Sequence, residues 1–231
     1  MNLHKIRGGT IEDLEAKKYN IGVGISLGNK WFTVSNILEL IKWSLTHTHE
    51  NVIVYVADSI HAINLEVRKR IKYEKALEIA DRMGTDLLEQ VRQEVEKTFS
   101  PEEISKIRYV KWNVIENDAY KAKVKYLYNF YENNEDFRDH LQSIVKNAIS
   151  KETSPRVFLE QEILRLINYI IEELPEQTTR VPMGEFACDA FAYPYDGEIV
   201  KLAEEIQNGE KFPEMKENII DTEPKVFLEV R

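Results

Sequence analysis

The first sustained apolar run in the chain is Tyr19-Asn-Ile-Gly-Val-Gly-Ile-Ser26. Its β-branched residues and closing glycines predict a buried strand that opens into a loop. Ile37, Leu38, Ile41 and Leu45 then fall on one face of a helix, which Ser35 or Asn36 can cap and which carries Glu39 in its first turn. Asn51-Val-Ile-Val-Tyr-Val-Ala57 is almost continuously apolar, the pattern of a strand in a parallel sheet covered on both faces. Strand, helix and strand make a βαβ unit.

A long charged helix follows over about 73–99, closed by Ser100-Pro101. Residues 107–114 alternate as a strand, and helical stretches occupy about 117–131 and 135–150. Thr153-Ser154-Pro155 reads as a cap and first-turn proline for a long helix that Pro175 ends after Leu174. Leu159, Ile163, Leu166, Ile167, Ile170 and Leu174 form its apolar stripe. A variable aromatic stretch at 186–194, a short helix near 197–207 and a strand at 225–230 complete the pattern. Neither a repeat nor a linker interrupts it, so a single α/β domain over 1–231 is expected, with a mostly parallel sheet flanked by helices.

Composition narrows the class. With 43% hydrophobic and 31% charged residues, 9 glycines and 7 prolines among 231, disordered and low-complexity chains are excluded. Cys188 is the only cysteine, which excludes an intramolecular disulfide and a multi-cysteine metal site and points to a reducing compartment. No run approaches the roughly 18 apolar residues of a membrane span, and the N-terminal stretch lacks the apolar centre of a signal peptide. A cytoplasmic protein with no membrane partner is expected.

The net charge of -9 rules out a chain coated in nucleic acid, although a local basic patch survives that argument. Arg68, Lys69, Arg70, Lys72 and Lys75 form the densest cluster, with a thinner one at Lys121, Lys123 and Lys125. A solvated helix face is the plainer account of either.

Three stretches could hold chemistry. Gly22-Val-Gly24-Ile-Ser26-Leu-Gly28-Asn29-Lys30 fails as a dinucleotide fingerprint, because leucine stands where the third glycine belongs, and fails as a P-loop for want of G-K-[ST]. It does contain a literal G-x-S-x-G, the small-residue turn that exposes a nucleophilic serine. A hydrolase triad would need a later histidine, and none follows His140. Tyr169 and Glu173 share one helix face at the edge of the apolar stripe, where a half-desolvated carboxylate can hold an ammonium and later accept its proton. Phe186–Asp196 gathers aromatic and acidic residues, with the Tyr193 and Tyr195 hydroxyls and Asp196 able to line a pocket mouth. Each also has a structural explanation: a softened strand end, an exposed helix pair, an aromatic core edge.

Taken together, the chain from about residue 19 onward resembles the cyclodipeptide synthase family, which makes 2,5-diketopiperazines from two aminoacyl-tRNAs. Gly24, Ser26 and Asn29 match its Gly-x-Ser-x-x-Asn loop; Tyr169 and Glu173 match its Tyr-x-x-x-Glu-x-Pro helix end; Tyr193 falls at the expected distance beyond, with Asp196 as a supporting acid. The resemblance implies a Rossmann-like domain similar to tyrosyl- and tryptophanyl-tRNA synthetase catalytic domains. It also implies no cofactor, metal or ATP chemistry, and no HIGH or KMSKS sequence is present. Two departures stand out. Residues 86–97 are mixed and acidic where the family is often arginine-rich, and Pro194 after Tyr193 belongs to one branch while Asn29 is typical of the other.

The implied mechanism is covalent. Ser26 takes the first aminoacyl group, Tyr169 and Glu173 hold its amino group, a second aminoacyl-tRNA supplies the attacking amine, and a dipeptidyl-serine cyclises. Asn29, loop N–H groups and Tyr193 are the oxyanion candidates. Tyr55, Ala57 and Cys188 are proposed to select the amino acids, and Arg68, Lys69, Arg70, Lys72 and Lys75 to dock tRNA. Two alternatives are a small serine esterase, which would turn over simple esters without RNA, and a non-catalytic RNA-binding domain, whose binding would survive loss of Ser26.

Overall fold

A computed structural model describes residues 1–152, 156–180, 182–220 and 224–231. The chain begins with an edge strand β1 (Leu3–Arg7) and a short helix α1 (Ile11–Glu15), then runs β2 (Ile21–Ile25), α2 (Val34–His47) and β3 (Val52–Val56). α3 (Asp58–Lys69), α4 (Tyr73–Thr98) and α5 (Pro101–Ser105) lead to β4 (Ile107–Lys111). α6 (Trp112–Ile115), α7 (Asp118–Asn133), α8 (Glu135–Ser150) and α9 (Glu160–Thr178) cross to a small hairpin, β5 (Pro182–Met183) with β6 (Phe186–Ala187). β7 (Ala190–Tyr193), α10 (Glu198–Asn208), α11 (Pro213–Ile219) and β8 (Val226–Val230) follow.

The main sheet has the order β1-β8-β7-β2-β3-β4, with β1 antiparallel to β8 and the other five strands parallel. From central β2 the chain winds outward through β3 to β4, then returns to β7 on the other side of β2. The carboxyl ends of β2 and β7 therefore form the crevice where a doubly wound sheet holds its ligands.

Strand periodicity decides which residues face that crevice. Ile21, Val23 and Ile25 join Val52, Val54 and Val56 in a core under α2 and α4. Ile53 and Tyr55 point to the opposite face, packed with Phe191 and Phe227, and beyond them α7 to α11 make a helical core around Phe137, Leu141, Ile167 and Ile170.

Several boundaries differ from the sequence reading. Thr33, not Ser35 or Asn36, caps α2, its hydroxyl accepting the Asn36 N–H at 3.3 Å while the Asn36 amide donates to Trp31 O at 2.7 Å. Glu39 accordingly lies beyond the first turn. Pro175 does not stop α9, which continues to Thr178. A proline in the last turn loses only one intrahelical bond, and the Thr178 hydroxyl donating to Leu174 O at 2.9 Å holds the end together. Residues 153–155, read as the cap of this helix, lie outside the described residues, and α9 begins at Glu160 with the Leu159 N–H donating to Glu162 Oε2 at 2.9 Å. β1, β7, α3 and α11 are additional elements, β7 lying within the stretch read as variable.

Candidate active site

The glycines before Ser26 are set by what lies under them. Gly22 and Gly24 face the same side as Tyr55, and a Cβ on Gly24 would come within 2.2 Å of Phe191 Cε2 and 3.0 Å of the Tyr55 hydroxyl. On Gly22 it would meet Cys188 Sγ at 2.5 Å. Any side chain at either position would displace the aromatic floor of the crevice. Two residues beyond Gly24, Ser26 leaves the strand toward this floor.

The loop is fixed by local bonds. Gly28 adopts φ +79°, a left-handed conformation that favours glycine. The Asn29 N–H reaches Ser26 O at 3.4 Å and the Phe32 N–H reaches Asn29 O at 3.1 Å. Asn29 Oδ1 accepts the Trp31 N–H at 3.0 Å, and Asn29 Nδ2 donates to the Tyr195 hydroxyl.

Ser26, Tyr169, Glu173, Gln177, Tyr193 and Tyr195 share the wall of one cavity of about 380 Å³ between the sheet, α8 and α9. Ser26 also borders a second cavity of about 310 Å³, which Asn29 lines together with Met83, Asp86 and Gln90 of α4. The sequence singled out Ser26, Tyr169, Glu173, Tyr193 and Tyr195; Gln177, hidden behind Pro175, carried no signal of its own. Gly24 and Asn29 hold the loop.

Electrostatics distinguish one carboxylate. Burial pushes Glu173 up to about 7; the hydrogen bond from Tyr169 opposes the rise and the nearby Glu176 charge adds to it. Glu173 Oε2 is buried without a partner among the described residues. The Tyr169 phenol is pushed well up by burial and by Glu173, and Tyr193 by burial and by Tyr195, with Ser26 close enough to Tyr193 to draw it partly back. His61 packs beneath Gly28, held down to about 4 by burial and by the charges of Arg68 and Lys69. Among the described residues no histidine lines the cavity.

The remaining predicted residues lie elsewhere. Tyr55, Ala57, Cys188 and Asp196 are absent from the wall of the larger cavity. Tyr55 is buried and donates to Glu176 Oε1 at 2.8 Å; Cys188 is buried, donates to Ala190 O at 3.3 Å, and is pushed up to about 11 chiefly by burial. Asp196 pairs with Arg7 of β1, which also holds Glu204.

The basic cluster is divided. Arg68 lines the larger cavity and pairs with Glu152; Arg70 pairs with Glu162 at 2.9 Å, and Lys75 with Glu78 at 2.7 Å. Lys69 and Lys72 are exposed. In the thinner cluster Lys123 is buried, its ammonium donating to Ile219 O at 2.8 Å. Among the described residues no three histidine, cysteine or carboxylate side chains gather as a metal ion would require, and no helix is long and apolar enough to cross a membrane.

Comparison with known proteins adds independent findings. The sequence matches the family model described as cyclodipeptide synthase over residues 11–210. No curated protein matches it. Among solved structures, a cyclodipeptide synthase from Bacillus thermoamylovorans superposes with a TM-score of 0.71 at 19% identity, covering 95% of this chain and 91% of that one. One from Candidatus Glomeribacter gigasporarum bound to Phe-tRNAPhe gives 0.59 at 17% identity, over 92% and 88%. The tyrosyl-tRNA synthetase of Archaeoglobus fulgidus gives 0.57 at 12% identity, over 99% of this chain and 61% of the other. These likenesses establish a fold shared with synthetases.

Proposed function

The chain belongs to the cyclodipeptide synthase family, tRNA-dependent enzymes that make cyclodipeptides, and from that premise we propose that it joins two aminoacyl groups covalently through Ser26. The observation that supports this reading is the placement of Ser26 on one cavity wall with a half-buried glutamate, Glu173, whose buried Oε2 has no partner among the described residues.

The ester of an aminoacyl-tRNA is already activated, so no ATP or metal is required. Ser26 Oγ attacks the ester carbonyl; the serine ester forms, the bond to the ribose breaks, and the serine proton leaves on the departing ribose hydroxyl. Glu173, ionised, and Tyr169 hold the ammonium of the serine-bound residue. Glu173 then takes a proton from it, for which a carboxyl titrating near neutrality is suited.

Atom balance settles which amine acts first. For a dipeptide to remain on serine, the amine of the serine-bound residue must attack the ester of the second aminoacyl-tRNA, releasing that tRNA. The incoming residue's own amine acts only in the second bond, contrary to the order inferred from sequence. It attacks the serine ester, closes the six-membered ring and returns the proton to Ser26. Tyr193 donates to the developing oxyanion. The cavities on both sides of Ser26 give each substrate an approach.

Docking of tRNA is assigned to exposed Lys69 and Lys72 beside the cavity rim at Arg68, while Arg68, Arg70 and Lys75 are each engaged by a carboxylate of the chain itself. The binding of Phe-tRNAPhe by a protein of this fold supports RNA as the partner.

One assay tests the reading. Incubation with labelled aminoacyl-tRNA should leave label on the wild-type protein and release cyclic dipeptide. Ser26→Ala should do neither, a loss on the order of a million-fold. Comparable product from Ser26→Ala would refute covalent catalysis at this residue. Run as a salt series, the assay should give a shallower slope for the Lys69→Glu, Lys72→Glu double variant, and an unchanged slope would move the docking surface elsewhere.

A further inference from the structure

Tyr195 stands two residues beyond Tyr193, and its hydroxyl is the junction of a chain of polar groups leading to Ser26. At the outer end, the Trp31 N–H donates to Asn29 Oδ1 at 3.0 Å. A backbone N–H can only donate, so this bond fixes the orientation of the Asn29 amide, and Asn29 Nδ2 is the atom that meets Tyr195 Oη. An amide nitrogen also only donates, so Tyr195 Oη is the acceptor there.

A phenol oxygen has one strong acceptor direction, because its second lone pair is delocalised into the ring. With that direction taken by Asn29, the Tyr195 hydroxyl is left to donate, and Tyr193 Oη lies 3.5 Å away, the two rings meeting edge to face at 5.0 Å. Tyr193 receives that hydrogen and keeps its own for the reacting centre, where Ser26 lies beside it. The first two bonds run the same way, Trp31 to Asn29 and Asn29 to Tyr195, and the occupied acceptor direction of Tyr195 carries that sense on to the 3.5 Å contact with Tyr193.

We infer that Tyr195 is a positioning residue that, locked by Asn29, aims the Tyr193 hydroxyl hydrogen at the reacting carbonyl oxygen. Asn29 then acts through its orientation of the relay and not as an oxyanion donor itself, since its Nδ2 is directed at Tyr195. No bond is made or broken in this step. The relay supplies a preorganised dipole in the transition state, the form of stabilisation that needs no rearrangement when charge develops.

Direction is what the experiment reads. In Tyr195→Phe, Tyr193 loses its guide but can still turn its hydrogen to the substrate, so kcat should fall about tenfold with KM nearly unchanged. Asn29→Asp reverses the relay: a carboxylate can only accept, so Tyr195 donates outward, Tyr193 donates to Tyr195, and the hydrogen points away from the carbonyl. Its kcat should fall on the order of 10²–10³-fold. Adding Tyr195→Phe to Asn29→Asp should then restore activity to the level of Tyr195→Phe alone.

That recovery separates the relay from its competitors. An Asn29 that contacts the oxyanion directly, or a carboxylate that merely repels it, predicts that the double variant stays as low as Asn29→Asp or lower, and this outcome overturns the inference. Equal, near-wild-type rates in both single variants overturn it as well. A reading independent of turnover is the Asn29 side-chain amide signal in nitrogen–proton spectra, which should shift in Tyr195→Phe; no shift removes the bond on which the relay depends. The inference rests on the covalent reading above, so wild type and Ser26→Ala are run alongside. Product from Ser26→Ala refutes that reading, whereas absence of recovery with a working serine refutes the relay alone.

Discussion

Glu173 and Glu176 lie one turn apart on α9, the first half-buried and the second fully buried, and they are held in opposite ways. Both oxygens of Glu176 are satisfied: Oε1 by the Tyr55 hydroxyl at 2.8 Å and by the Lys225 ammonium, Oε2 by Gln177 at 2.8 Å. Lys225 and Glu176 are 1% and 0% exposed, a fully buried ion pair. Glu173 has Tyr169 and an oxygen with no partner, and it faces the cavity. A carboxylate that stabilises a fold has every lone pair occupied; one that waits for a substrate keeps an unsatisfied oxygen and bears the cost of burial. The two carboxylates also communicate, because the charge of Glu176 helps to raise Glu173.

Exchanging each for glutamine should separate the two roles most widely. Glu173→Gln should lower product formation on the order of a thousand-fold, through loss of the ammonium partner and the proton acceptor. Its stability moves the other way. A carboxyl whose folded pKa is about 7, above the unfolded 4.5, opposes folding increasingly as pH rises through that window. At pH 8 the substitution should therefore relieve a penalty on the order of 3 kcal/mol, and the gain should vanish below the unfolded pKa. Glu176→Gln leaves Lys225 buried and uncompensated, so it should lose about 3–5 kcal/mol of stability in denaturant melts. Similar stability losses in both variants would erase the distinction.

How much of this contrast could be read in the chain follows from locality. Ile21–Ile25 and Val52–Val56 are legible because every residue is buried and the apolar run is unbroken. β7 is four residues, Ala-Phe-Ala-Tyr, whose small and aromatic positions alternate without a polar face to mark the period. α3 carries Ile60, Ile63 and Val67 at helical spacing, but the basic cluster at its end drew the reading toward a patch. Glu173 was legible because the apolar stripe passes beside it. Glu176 was not: it follows a proline that suggested a helix end, and its partner Lys225 lies 49 residues away on the approach to β8. Two charged residues distant in sequence look like surface until the sheet closes over them. The Asn29–Tyr195 bond spans 166 residues and escaped for the same reason, since only the return of the chain from β4 to β7 makes them neighbours.

A smaller effect, on pH dependence, sharpens the assignment of Glu173. The ionised carboxylate is the form that holds an ammonium and accepts a proton, so kcat/KM should rise with pH along a limb near 7. Tyr169 donates to that carboxylate and so favours the ionised form; Tyr169→Phe should shift the limb upward as well as lowering its plateau. Initial rates from about pH 5.5 to 8.5, corrected for spontaneous ester hydrolysis, would measure both. A flat profile, or a limb that moves down in Tyr169→Phe, would mean that another group controls turnover.

The smallest expected change concerns Tyr55, which the sequence suggested as a selector of amino acids and the structure places against Glu176. Its ring lies over Phe191 and under the glycines of β2, so Tyr55→Phe keeps the shape of the floor and removes only the hydroxyl. That hydroxyl donates to a buried carboxylate with two further partners, and losing one charge-assisted bond should cost about 1.5–3 kcal/mol. Glu176 would keep Lys225 and Gln177, so the pair survives and the protein folds. Glu173 feels the Glu176 charge and not the Tyr55 hydroxyl, so the pH limb should stay in place. If Tyr55 belongs to the structural set, mass spectrometry should find the same cyclic dipeptides in the same proportions, alongside a lower melting temperature. A changed ratio of products with little change in melting would return Tyr55 to the substrate side of the comparison and extend the reach of the cavity down to the floor beneath Gly24.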